Sequence, residues 1–149
     1  MGTRHTYRII ETYKSNNPEL GQVEEPICLI YGQYDGYPEG TPSRVAKFIA
    51  SGKMVNGYGA DSPELVFNGP GCMTAQLIKE LKDGTGNIYV QALSSRLNSG
   101  EDYSYDIICD FDTKKVTMIA YDWEGKELFT GTPLEFLQKY NEEVFATFN

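Results

Sequence analysis

Tyr103-Ser104-Tyr105-Asp106-Ile107-Ile108-Cys109-Asp110-Phe111 alternates along its length. Tyr103, Tyr105, Ile107, Cys109 and Phe111 fall on one face, and Ser104, Asp106, Ile108 and Asp110 on the other. That period of two is the signature of a half-buried strand. Asp112-Thr113-Lys114 turns the chain, residues 116–121 return, Glu124-Gly125 turns again, and residues 127–130 close a meander. Three strands in succession, with no helix between them, predict antiparallel pairing and speak against a doubly wound parallel sheet.

Downstream, Thr132-Pro133-Leu134-Glu135 is a helix start. Thr caps, Pro takes the first position and Glu at the third completes a capping box. The helix is expected to carry Leu134, Leu137 and Tyr140 and to run to about Glu143. Val144, Phe145 and Phe148 form an apolar tail, able to pack on the domain or on a partner subunit.

Upstream, residues 4–13 read as a first strand, rich in β-branched and aromatic side chains. Residues 14–26 are polar, contain Pro18, Gly21 and Pro26, and read as a loop. Residues 27–34 read as a second strand, apolar on both faces in its first half and so central. Thr41-Pro42 opens a helix with Thr41 as cap; Val45, Phe48 and Ile49 share a face, and Gly52 ends it. Residues 54–71 are rich in Gly and Pro, with Leu65-Val66-Phe67 as a short strand or packing anchor. A second helix covers 72–82 and a further strand 87–93. The order ββααββββα predicts a single α+β domain over residues 1–149, with a mainly antiparallel sheet of about six strands and three helices.

The chain has 149 residues and a formal charge of −8, with 13 basic against 21 acidic side chains. An acidic chain with scattered lysines is repelled by phosphate backbones, which disfavours general nucleic-acid binding. Cys28, Cys72 and Cys109 are odd in number and far apart, as expected for a reducing, cytoplasmic setting rather than a disulfide framework. No apolar run has the length of a membrane span, and no membrane association is expected. His5 is the one histidine, which excludes sites built on several. No metal or cofactor is expected.

The densest special stretch is Tyr31-Gly32-Gln33-Tyr34-Asp35-Gly36-Tyr37-Pro38-Glu39-Gly40. Three tyrosines, three glycines, two carboxylates, an amide and a proline follow a strand and lead into a helix. Gln33 and Asp35 offer polar contacts, Tyr34 and Tyr37 offer flat faces, and the glycines allow close backbone approach. The alternative is an Asp-Gly turn whose Pro38 and tyrosines pack a strand-to-helix corner.

Together with Met1-Gly2-Thr3-Arg4-His5, this stretch resembles a family of small proteins from bacteriophages, large DNA viruses and microbes. Its members open with M-G-T-R and later carry Gln or His, an aromatic, then D-G-Y-P-x-G. Tyr34 stands where Trp is more common, and Asn68-Gly69-x-Gly71-Cys72 is similar to longer members. The resemblance carries no activity. It implies a viral, phage or microbial accessory protein, in the host cytoplasm if viral, with Arg4 and the D-G-Y-P loop in one site.

Other constellations have structural alternatives. Arg4 can pair with Asp35 or receive an anion. Gly69 and Gly71 ahead of a helix can present N–H groups to an anion. Cys72 there can be a nucleophile partnered by His5, or a small buried residue. Gly2 and Thr6 match a myristoylation pattern, although the segment reads as a strand. Asp106, Asp110, Asp112, Asp122 and Glu124 can bind a divalent cation or line a solvated face.

The leading expectation is a ligand-binding protein that sequesters a nucleotide-like molecule through Arg4, Gln33, Tyr34, Asp35, Tyr37, Gly69 and Gly71. The alternatives are a structural or homo-oligomeric interaction protein, and a small cysteine hydrolase using Cys72 and His5.

Overall fold

The computed structural model describes residues 2–57, 64–94 and 100–148. The elements in order are β1 (His5–Lys14), β2 (Gln22–Gly32), α1 (Thr41–Ala50), β3 (Lys53–Val55), β4 (Val66–Asn68), α2 (Gly69–Leu81), β5 (Ile88–Gln91), β6 (Tyr103–Asp110), β7 (Val116–Asp122), β8 (Glu127–Gly131), α3 (Pro133–Tyr140) and α4 (Glu142–Ala146). Six strands form one sheet in the order β5-β2-β1-β6-β7-β8, and β3 and β4 make a small second sheet. The class is α+β. The large sheet is mainly antiparallel, and β6-β7-β8 is the expected meander. One pairing departs from it: β1 and β6 run parallel, with Tyr7 opposite Tyr105 and Ile9 opposite Ile107.

The alternation of β1 and β6 sends Tyr7, Ile9, Tyr105, Ile107 and Cys109 to one face. There they meet Val45, Ala46 and Ile49 of α1, Met73 and Leu77 of α2, and Phe136 and Leu137 of α3. α1 packs against both other long helices, so the helices line that single face. Aromatic rings run through this core: Tyr7 stacks on Tyr105 at 5.6 Å, and Phe136 meets Phe129 edge-on at 5.3 Å. The other face carries Thr6, Arg8, Ile10 and Thr12 beside Ser104, Asp106, Ile108 and Asp110.

Several boundaries differ from expectation for physical reasons. β2 starts at Gln22, within the stretch read as a loop. β5 pairs only with Leu29–Gly32, so the first part of β2 is a sheet edge. Polar side chains and a proline are tolerated at an edge, where one side of the backbone faces no neighbour. Ile27 is the extra residue of a bulge, since Ile9 faces Cys28 and Ile10 faces Pro26.

The cap of α1 is Gly40 rather than Thr41, whose hydroxyl instead donates to the Tyr34 carbonyl. α2 begins at Gly69, so Gly69-Pro70-Gly71 is its first turn rather than a loop before it. The capping box of α3 is present, with both Thr132 and Glu135 bonded as expected. That helix stops at Tyr140, because Asn141 leaves helical geometry and caps α4 through Val144 N–H. Val144, Phe145 and Phe148 pack on the protein's own core. Among the described residues, no helix is long and apolar enough to cross a membrane.

Candidate functional site

Arg4 and His5 are neighbours in the chain but go to opposite faces of the sheet. His5 is fully buried on the helix side, edge-on to Tyr7 at 4.9 Å. Its ring lies where side chains on Gly32 and Gly36 would go. A Cβ on Gly32 would stand 2.3 Å from Cε1, and one on Gly36 would stand 2.5 Å from Nδ1. The loop after β2 is thus wrapped around an imidazole.

Backbone bonds fix that wrapping. Gly36 N–H donates to the Thr3 carbonyl at 3.0 Å, and Thr41 N–H donates to the Asp35 carbonyl at 2.8 Å. The Tyr105 hydroxyl donates to the Gly36 carbonyl at 2.6 Å, and burial pushes that phenol's pKa up. Buried Ser43 donates to the Pro38 carbonyl. Asp35 sits at φ 56, a left-handed conformation that Asp tolerates better than most residues.

Both ring nitrogens of His5 are buried with no hydrogen bond of good geometry. Desolvation lowers its pKa to about 4; the Thr3 and Gly32 carbonyls and the Asp35 carboxylate pull weakly the other way. Tyr37 and Asp35 lie on the exposed outside of this corner.

On the other face, Gly2, Arg4, Tyr31, Gln33, Tyr34 and Asp102 line a cleft of about 350 Å³. Arg4 N–H donates to Asp102 Oδ2 at 3.0 Å, and Asp102 N–H donates to the Arg4 carbonyl at 2.9 Å. The Arg4 guanidinium lies against Gly100, whose φ of +98 and missing side chain leave it room. Gln33 is held by Asn87: Gln33 N–H donates to Asn87 Oδ1, and Asn87 N–H donates to Gln33 Oε1, each at 3.1 Å. Tyr34 N–H donates to the same Oδ1 at 3.2 Å, and the Tyr34 ring is 52% exposed. Tyr31 leans on Tyr89 with ring centres 6.2 Å apart.

The structure therefore gathers Arg4, Gln33 and Tyr34 and leaves out the other expected site residues. Among the described residues Arg4 makes no ion pair with Asp35. Gly69 lines a different cavity, with Glu11, Cys109 and Asp110. Glu11 is seven residues along β1 from Arg4, roughly 23 Å at the rise of a strand. Gly71 goes with Gly69 into the first turn of α2. Cys72 is exposed on that helix and its thiol donates to Gln76 Oε1 at 3.2 Å; it does not reach His5.

The meander carboxylates are mostly bound to their own turns. Asp110 accepts from Thr113 N–H, Thr12 and Asp112 N–H, bonds that hold its pKa low, and also from Gln22. Asp122 accepts from Glu124 and Lys126. Asp106 faces Arg8 and Tyr121, and burial raises its pKa. Among the described residues no cluster of His, Cys, Asp or Glu has metal-binding geometry.

Asp102, Asn87, Tyr31 and Gly2 are the residues that sequence reasoning missed. Asp102 and Asn87 lie in polar connections and join Arg4 and Gln33 only through strand pairing. Tyr31 was visible as part of the tyrosine-rich stretch. No protein family, curated protein or solved structure matches the chain.

Proposed function

We propose that the protein is a small-ligand-binding accessory protein whose cleft takes a planar, anionic, nucleotide-like molecule. The observation that carries this reading is the convergence of an exposed guanidinium, a carboxylate and two tyrosine rings on one concavity of about 350 Å³. That size lies within the range of ligand pockets, at its small end. Arg4 would take a phosphate or carboxylate, Tyr34 and Tyr31 would stack on a ring, and the free oxygen of Asp102 would accept from a hydroxyl or amine. The resemblance of Met1-Gly2-Thr3-Arg4 and the D-G-Y-P loop supports a viral, phage or microbial origin for such a protein.

Isothermal titration against nucleoside mono- and diphosphates and cyclic dinucleotides tests the reading. One class is expected to bind saturably and to lose affinity in Arg4→Ala and Tyr34→Ala. Absence of binding across the series would sink it. A reading as an oligomer subunit rests on Trp123, 70% exposed at the tip of the β7–β8 hairpin, and sedimentation of Trp123→Ser against the wild type decides it.

A further inference from the structure

We propose that the trough between the end of α1, β3 and the start of α3 is a second binding site, for a small amphiphilic anion such as a carboxylate on a short apolar chain. It is independent of the cleft at Arg4, since it lies on the helix side of the sheet. Its volume is about 320 Å³ and its floor is apolar, built from Ile49, Met54, Phe67, Val116 and Leu134. Gly52 shapes it: a Cβ there would stand 2.3 Å from the Phe67 ring, so glycine leaves room for that ring in the wall of the trough.

The charge pattern selects the ligand. The protein carries a net charge of −8, yet the charged residues lining the trough are two lysines, Lys114 and Lys115. Lys114 is held in place: its ammonium donates to the Phe111 carbonyl and lies 4.1 Å from the centre of the Phe111 ring. The ammonium of Lys115 has no hydrogen bond or ion pair among the described residues. Glu135, at the adjoining helix start, is turned onto Thr132 N–H at 2.9 Å and does not neutralise the lysines.

An apolar floor with cations at its rim fits a molecule with an apolar body and one anionic end. A smaller cavity of about 210 Å³ shares Met54 and Lys114 with the trough. Met54 is unbranched and flexible, so a longer chain can continue past it.

The test is a titration of the intact protein with decanoate, followed by backbone amide shifts in NMR, with decyltrimethylammonium as the matched cation. Decanoate is expected to bind saturably and to shift amides at 49–54, 114–116 and 132–134. Lys115→Glu is expected to weaken it about tenfold with the unfolding temperature of the free protein unchanged. Equal binding of the cation, or unchanged affinity in Lys115→Glu, overturns the proposal. Shifts confined to the residues around Arg4 overturn it as well and assign the anion to the cleft. Lys114→Gln provides a second reading of the charge requirement should Lys115→Glu lower the yield of folded protein.

Discussion

The imidazole of His5 fills the space in which Gly36 would carry a side chain. A Cβ at Gly36 would stand 2.5 Å from Nδ1 and 2.6 Å from the Cβ of His5. The ring has little room to yield, because Tyr7 packs edge-on against it at 4.9 Å and Gly32 closes its far side. Gly36 does not occupy a positive φ, so alanine there is a purely steric probe. Gly36→Ala is expected to destabilise the protein by about 1–3 kcal/mol, the usual cost of overpacking. In a His5→Gly background, which removes the ring and the Cβ together, the same change is expected to cost much less. Urea denaturation of the four proteins of this cycle measures the coupling; additive effects would show that the ring and the loop are independent.

The same burial gives a pH dependence. An unfolded histidine titrates near pH 6.5, while folded His5 titrates at about 4. Between these values the unfolded chain binds more protons, so unfolding becomes easier as pH falls. The contribution of His5 is complete above about pH 6.5 and lost by about pH 4, a difference of roughly 3 kcal/mol. Denaturation curves of wild type and His5→Leu between pH 7 and 4 test this. The wild type should lose more stability than the variant, since both share the titration of the carboxylates. Parallel curves would mean that His5 charges freely in the folded state.

Both edges of the large sheet carry a lysine from the helical layer. Lys82, just after α2, donates to the Ile88 carbonyl on β5 at 2.8 Å, and Lys139 of α3 donates to the Leu128 carbonyl on β8 at 3.0 Å. Free edge carbonyls are templates for pairing with another chain, and lysines are a common guard. Val90 on β5 is 64% exposed, so that edge is apolar once unguarded. Lys82→Met with Lys139→Met is expected to self-associate as concentration rises in sedimentation velocity. A double variant as monomeric as the wild type would show that the guards are dispensable.

How far such features could be read in advance depended on the range of the interaction. The alternation at 103–110 and the Thr132-Pro133-Leu134-Glu135 cap are local, and they gave the meander and the last long helix. The parallel pairing of β1 with β6 joins Tyr7 to Tyr105, 98 residues apart, and no local pattern encodes it. The polar start of β2 was hidden because its outer side has no partner strand there among the described residues. At the site, the tyrosine-rich stretch was legible as unusual, but two of its glycines, Gly32 and Gly36, make room for a buried histidine that no local pattern announced. Arg4 and Gln33 line one cleft with Tyr34. Gly69 and Gly71 went to the other end of the sheet, because strand length rather than residue type sets that distance.

Asn87 links the fold to the cleft. It sits at φ 61 and accepts from the N–H groups of both Gln33 and Tyr34. Two demands meet there, a left-handed backbone and an acceptor side chain. Asn87→Gly keeps the first and loses the second; Asn87→Ala loses both. Gln33 N–H keeps its bond to the Asn87 carbonyl at 3.0 Å in both variants, so loss of the acceptor leaves the Tyr34 N–H without its partner and is expected to cost about 1 kcal/mol. The left-handed strain adds roughly 1 kcal/mol more in the alanine variant. Stability should therefore fall in the order wild type, Asn87→Gly, Asn87→Ala. Affinity for the cleft's ligand should fall in both variants by a similar factor, because both release Tyr34 while the Asn87 backbone still holds Gln33. Thermal unfolding gives the first ranking and titration the second. If affinity tracked stability instead, with Asn87→Gly close to wild type, the side-chain clamp would have no part in shaping the cleft.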